Sequence, residues 1–161
     1  MFIQEITVCN SVKCKYDADI GSYKGEIQWF DDPVDLYLHF NPEDKVEALM
    51  VKLAFEAVYH EKELWTEKAV KFACDVFIPF FYHVAGEGAE LVLTREELRR
   101  FLALSDIEIN EDGELHMSFH PFAIGRRLSF LDIRGTIGGG FVELQDNGVT
   151  VPDLRENEEL S

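Results

Sequence analysis

Leu93-Thr94-Arg95-Glu96-Glu97-Leu98, followed by Ile107-Glu108-Ile109, Glu111-Asp112-Gly113 and Gly138-Gly139-Gly140, decides how this chain folds. Thr94 to Glu97 matches a capping box, in which the Thr side chain accepts from the third helical amide and the Glu reaches back to the Thr amide. A short helix to Leu104 is predicted, with Arg99 and Arg100 in its last turn offsetting the helix dipole. Alternation then takes over. Segments 106–110 and 114–120 read as strands about Glu111-Asp112-Gly113, whose glycine can take the positive φ that hairpins need. Segments 128–134 and 141–145 form a second pair across the glycine-rich turn.

Working outward, four β segments open the chain at 2–9, 12–16, 23–30 and 34–40. In the third, the period of two puts Tyr23, Ile27 and Trp29 on one face and Lys24, Glu26 and Gln28 on the other. Asp31-Asp32-Pro33 supplies a turn, so a hairpin follows. Asn41-Pro42-Glu43-Asp44 starts a helix by mechanism: Asn caps free amides, Pro fits the first helical position, and the acids favour the positive end of the dipole. This helix runs to about Tyr59, with Val46, Leu49, Met50, Leu53 and Ala57 as its buried stripe. A second, from about Glu63 to Ile78, buries Trp65, Ala69, Phe72 and Val76, and Pro79 ends or kinks it by removing an amide donor. Gly86-Glu87-Gly88-Ala89 is a loop, too short to separate two domains.

The 161 residues suit one domain over 1–152, followed by an acidic tail over 153–161 that frays. With 47% hydrophobic and 29% charged residues the composition is that of a soluble globular protein. The first residues lack a basic region or long apolar run, and no later stretch reaches the roughly 20 apolar residues that cross a bilayer, which points to a cytoplasmic protein that does not engage membranes. Cys9, Cys14 and Cys74 are odd in number and read as reduced, small buried hydrophobes. The 31 acidic residues outnumber 15 basic ones, for a net charge of -16. That charge repels phosphate backbones and so argues against nucleic acid, while suiting a partner with a basic surface.

No catalytic constellation, cofactor site or metal site emerges from the residue pattern. His116 and His120 share a strand face, but about 13 Å of extended backbone separates them, too far for one metal ion unless a bulge intervenes with Asp132 or Glu143 nearby. Gly138-Gly139-Gly140 lacks the Gly-Lys-Ser/Thr and the following helix of a phosphate loop. Cys74 lies on a core-facing helix, where burial makes a thiol inert. The carboxylates of Glu108, Glu111, Asp112 and Glu114 around the 106–120 hairpin are the candidate surface for a basic partner.

Taken in series, Tyr23-Lys24-Gly25-Glu26-Ile27-Gln28-Trp29, the aliphatic strand over 34–40, the helices carrying Trp65 and Phe72-Ala73, Leu93-Thr94-Arg95-Glu96-Glu97-Leu98, Ile107-Glu108-Ile109, Asp112-Gly113 and the closing glycine-rich strands resemble the bacterial DUF2262 family. The resemblance covers about residues 20–150. It implies a fold and a bacterial intracellular setting, and the family carries no assigned activity. One departure stands out: Ile124-Gly125-Arg126-Arg127-Leu128 replaces the Gly-His pair that the family pattern leads one to expect, so no role for that His carries over. Families of this kind occur among toxin-immunity genes, an association without residue-level support.

The sequence therefore predicts an α+β fold, with antiparallel strands from both ends of the chain forming a sheet and two or three central helices packed on one face. The function expected is non-catalytic protein binding, of the kind in which an acidic immunity protein neutralises a basic toxin domain. A small hydrolase or transferase with an unrecognised site is the competing class.

Overall fold

The structure, a computed structural model, describes residues 1–86 and 92–155. The chain begins with an antiparallel meander of β1 (Glu5–Val8), β2 (Val12–Asp17), β3 (Ser22–Trp29) and β4 (Asp32–His39). Helices α1 (Lys45–His60), α2 (Lys62–Ala85) and α3 (Arg95–Phe101) follow. A second meander then runs through β5 (Leu104–Asn110), β6 (Glu114–Phe119), β9 (Leu131–Thr136), β10 (Gly140–Asp146) and β11 (Val149–Thr150). Between β6 and β9 the chain detours through a small separate hairpin, β7 (Phe122–Ile124) and β8 (Arg127–Ser129). The fold is α+β, as the sequence predicts.

The two meanders share one nine-stranded sheet because β4 and β5 pair in parallel. A parallel pair needs a crossover between its strands, and the three helices occupy it. Side chains alternate across the sheet, so register alone sorts them into two faces. Leu36 and Leu38 of β4 stand beside Ile107 and Ile109 of β5, which stand beside Met117 and Leu115 of β6. All six are buried and share one core with Val51, Phe55 and Val58 of α1 and Trp65, Ala69 and Phe77 of α2. Tyr23, Ile27 and Trp29 belong to this face, as the period-two reading requires.

Five local readings are corrected. The buried stripe of α1 is Ala48, Val51, Phe55 and Val58, while Val46, Leu49, Met50, Leu53 and Ala57 are exposed. The helix is apolar on both sides, and periodicity does not say which stripe meets the sheet. Its cap is Asp44, whose carboxylate accepts from the Val46 and Glu47 amides, whereas Asn41 accepts from Glu43 in the turn before it. Helix α2 continues through Pro79 to Ala85. Phe77 and Phe81 are buried on either side of the proline, and the Tyr82 hydroxyl, which accepts from the Leu93 amide, ties down the last turn. Burial of that length offsets the lost hydrogen bond.

The β3–β4 turn is Phe30-Asp31, with Pro33 inside β4 opposite Gln28. Pairing with β5 starts only at Asp35, so the proline's missing amide faces no strand there. Thr94 does cap α3, accepting from the Glu97 amide at 3.1 Å. That helix stops at Phe101, and β5 takes over at Leu104. The predicted loop at Gly86-Glu87-Gly88-Ala89 and the frayed end of the tail lie largely outside the described residues. Within the tail, Arg155 is engaged with Asp153 and Asp75.

Core truncations will report these faces. Phe55→Ala and Trp65→Ala are each expected to cost about 3–5 kcal/mol, and Leu49→Ala and Leu53→Ala no more than about 0.5 kcal/mol. Urea midpoints check the contrast, and equal losses at Leu53 and Phe55 would reverse the assigned face of α1. Gly135→Ala should also destabilise strongly, because its Cβ would lie 2.0 Å from the Gly140 carbonyl oxygen and 2.6 Å from Phe141 Cα, both backbone atoms.

Candidate functional site

The sheet face opposite the core is polar, and register builds it strand by strand. Parity places Asp35, Tyr37 and His39 of β4 there, then Asp106, Glu108 and Asn110 of β5. Strand β6 adds Glu114, His116 and Ser118, while β9 adds Asp132 and Arg134. On β10, Glu143 lies opposite Arg134. Most of these side chains are half-buried by their neighbours across the strands.

Glu108 is the hub. Its Oε1 lies 3.1 Å from His39 Nε2 on one neighbouring strand, and its Oε2 lies 3.7 Å from His116 Nδ1 on the other. The imidazoles of His116 and His39 hold the Glu108 carboxyl down to about 2, against the opposing effect of partial burial. With Asn110 and Glu114 they line a shallow cavity of about 90 Å³. Asn110 organises the adjoining hairpin: its Oδ1 accepts from the Asp112 and Glu114 amides, and its Nδ2 donates to Glu114 Oε2 at 2.7 Å.

One row along, burial and then repulsion from Glu108 raise the Asp106 carboxyl. Across β6 from it, Asp132 Oδ2 accepts from Arg134 Nη2 at 3.2 Å. Asp132 Oδ1 and Arg134 Nε are buried and have no hydrogen-bond partner among the described residues. Such groups cost free energy until a partner satisfies them.

Of the four carboxylates predicted from the sequence, Glu108 and Glu114 stand on this face, and Glu111 and Asp112 sit at the tip of the hairpin joining their strands. His116 and His120 are not brought together. His120 follows the end of β6 and is exposed, its amide donating to the Ala103 carbonyl. The partner of His116 is Glu108, directly opposite it in the hairpin, while His39 on the far side of Glu108 comes from outside the 106–120 segment. Among the described residues no group of three or more His, Cys, Asp and Glu side chains is placed to hold a metal ion. The three cysteines are free; Cys14 and Cys74 are buried, while Cys9 is half-buried, contrary to its predicted burial. Burial pushes the Cys14 thiol up to about 12. No helix among the described residues is long and apolar enough to cross a membrane.

A family model described as an uncharacterized protein conserved in bacteria (DUF2262) matches residues 12–121, more than half of the chain. The match takes in β2 to β6 with all three helices, and therefore His39, Glu108 and His116. The closing glycine-rich strands and the segment 124–128 lie beyond it. No curated protein and no solved structure matches the chain significantly.

Because the folded pKa of Glu108 is depressed, its ionisation stabilises the fold above the unfolded value of 4.5, and that contribution disappears as pH falls toward about 2. Glu108→Gln should remove this component of acid sensitivity. Urea titrations from pH 5 to pH 2 check it: the gap in stability between wild type and variant is expected to shrink as pH falls, and a constant gap would show that the two imidazoles do not hold the carboxylate.

Proposed function

This chain belongs to the DUF2262 family of uncharacterised bacterial proteins, and we propose that it is a non-catalytic protein-binding domain. Its docking surface is the polar sheet face with the adjoining Glu111-Asp112 hairpin tip, and its partner is a basic protein, as when an immunity protein neutralises a basic toxin domain. The observation that carries this reading is the charge of that face. Asp35, Asp106, Glu108, Glu114, Asp132 and Glu143 occupy five adjacent strands, and among the described residues Arg134 is the one lysine or arginine that those strands place with them. Ionised carboxylates held half-buried on a rigid sheet are pre-organised for lysine and arginine donors, so little side-chain entropy is lost on docking.

A small hydrolase or transferase remains the competing reading, supported by the two imidazoles flanking Glu108 as acid/base groups. Size argues against it. A cavity of about 90 Å³ is well below the roughly 300–1,000 Å³ that small-molecule sites enclose.

Affinity capture from the host bacterium at about 0.05 M and about 0.5 M salt tests the proposal, because screening shortens the reach of surface charge over that range. Wild-type protein is expected to retain a basic protein that is released as salt rises, and Glu108→Lys/Glu114→Lys to lose it. Recovery of no basic protein, or capture indifferent to salt and to these substitutions, would reject the reading.

A further inference from the structure

Beside the β3–β4 turn the core is not filled to the edge of the sheet. A cavity of about 200 Å³ lies between this turn, α2, β5 and β6, on the helix side of the sheet and away from the polar face. Its floor is buried and apolar, formed by Val34 of β4, Met117 and Phe119 of β6, and Ala69 of α2. Trp29 walls one side. Its indole N–H donates to Thr66 Oγ1 at 3.0 Å, which fixes the ring against α2. The exposed lining residues Phe30, Asp32 and Ala103 mark the mouth.

Asp32 does not match these surroundings. It shares parity with Val34, Leu36 and Leu38 and stands opposite Trp29 in the pairing of β3 with β4, so register puts its carboxylate on the apolar face of the sheet. It is the one charged residue among those lining the cavity, and it pairs with no lysine or arginine among the described residues. Phe30 is also out of place. It opens a two-residue hairpin turn with φ at +56°, a conformation that favours glycine. A bulky ring held there against the preference of its backbone is a feature that ligand clamps share. Lys62 stands over the Phe30 and Tyr59 rings, 5.6 and 4.4 Å from their centres, and does not line the cavity.

We propose that this cavity binds a small arylalkylamine, its ring on the apolar floor and its ammonium at Asp32. Volume sets the body of the ligand. An apolar cavity of about 150 Å³ takes up benzene, so about 200 Å³ holds one aromatic ring and a short chain. Anything of drug or cofactor size is excluded, because such ligands need roughly 300–1,000 Å³. Chemistry sets the head. A carboxylate at the mouth accepts charge-assisted hydrogen bonds from an ammonium, and the Trp29 and Phe30 rings, 6.4 Å apart and at 86° to each other, add π-faces that favour a cation. The net charge of -16 draws small cations toward the molecule and repels anions with the same body. Occupancy is independent of any partner on the polar face, which lies across the sheet.

Isothermal titration with 2-phenylethylamine tests the site, beside phenylacetate, which reverses the charge on the same ring, and ethylamine, which removes the ring. Saturable binding of 2-phenylethylamine with Kd below about 1 mM is expected, with the other two probes weaker by about tenfold or more. Asp32→Asn and the cavity-filling Ala69→Val should each weaken it about tenfold. Asp31→Asn removes an acid of the same turn that does not line the cavity, and should leave binding unchanged. Each variant is to be matched to wild type in thermal midpoint first. Methyl NMR locates the ligand: of the three methionines, Met117 alone lines the cavity, so its signal should shift while those of Met1 and Met50 stay in place. Absence of saturable binding, equal binding of phenylacetate or ethylamine, binding indifferent to Asp32→Asn, or a Met117 signal that does not move overturns the proposal.

Discussion

Leu36 beside Ile107 and Leu38 beside Ile109 join two antiparallel meanders into one sheet. Each meander could form locally, because its strands follow one another in sequence and need only short turns. The parallel seam is different: it forms only after the intervening helices have crossed back over the sheet. Once made, it aligns the apolar residues of both halves into a single face that α1 and α2 can bury, and the opposite parity becomes polar by default. The same register that carries Leu38 to Ile109 brings His39 within reach of Glu108.

Charge is distributed with the same division. On the polar face the carboxylates of β4, β5, β6, β9 and β10 are held close by the sheet spacing, and their mutual repulsion is relieved by His39, His116 and Arg134 rather than by a matching set of lysines. Around α2, Lys71, Arg95 and Arg155 converge on Asp75, and Arg155 is held by Asp153 as well. The formal charge of the whole chain conceals this arrangement, since attraction over a few ångströms depends on local sums and is screened beyond about 8 Å at physiological salt.

Particular elements show where sequence reasoning held and where it stopped. The Thr94 cap, the Glu111-Asp112-Gly113 hairpin and the alternation of Tyr23, Ile27 and Trp29 rest on interactions between residues close in sequence, and each is found in the structure. Helix α1 was ambiguous because two apolar stripes satisfy the same period; Phe55 faces the sheet and Leu53 faces outward. The predicted end of α2 near Ile78 is where the sequence misled, because burial beyond Pro79 carries the helix on to Ala85. In the polar site Glu108 and Glu114 were legible as carboxylates on a hairpin. His39 was not, because 69 residues separate it from Glu108.

The sequence by itself determined the fold class, the Thr94 cap, the Glu111-Asp112-Gly113 hairpin, the polar and apolar parity of strands such as β3, and the excess of acid, because these follow from neighbours along the chain. Only the tertiary structure decided which stripe of α1 is buried, that β4 and β5 pair in parallel, and which side chains meet at Glu108 and at Asp75. Those contacts join strands and helices far apart in sequence, and their geometry comes from packing one shared core, a property of the whole chain that no local pattern encodes.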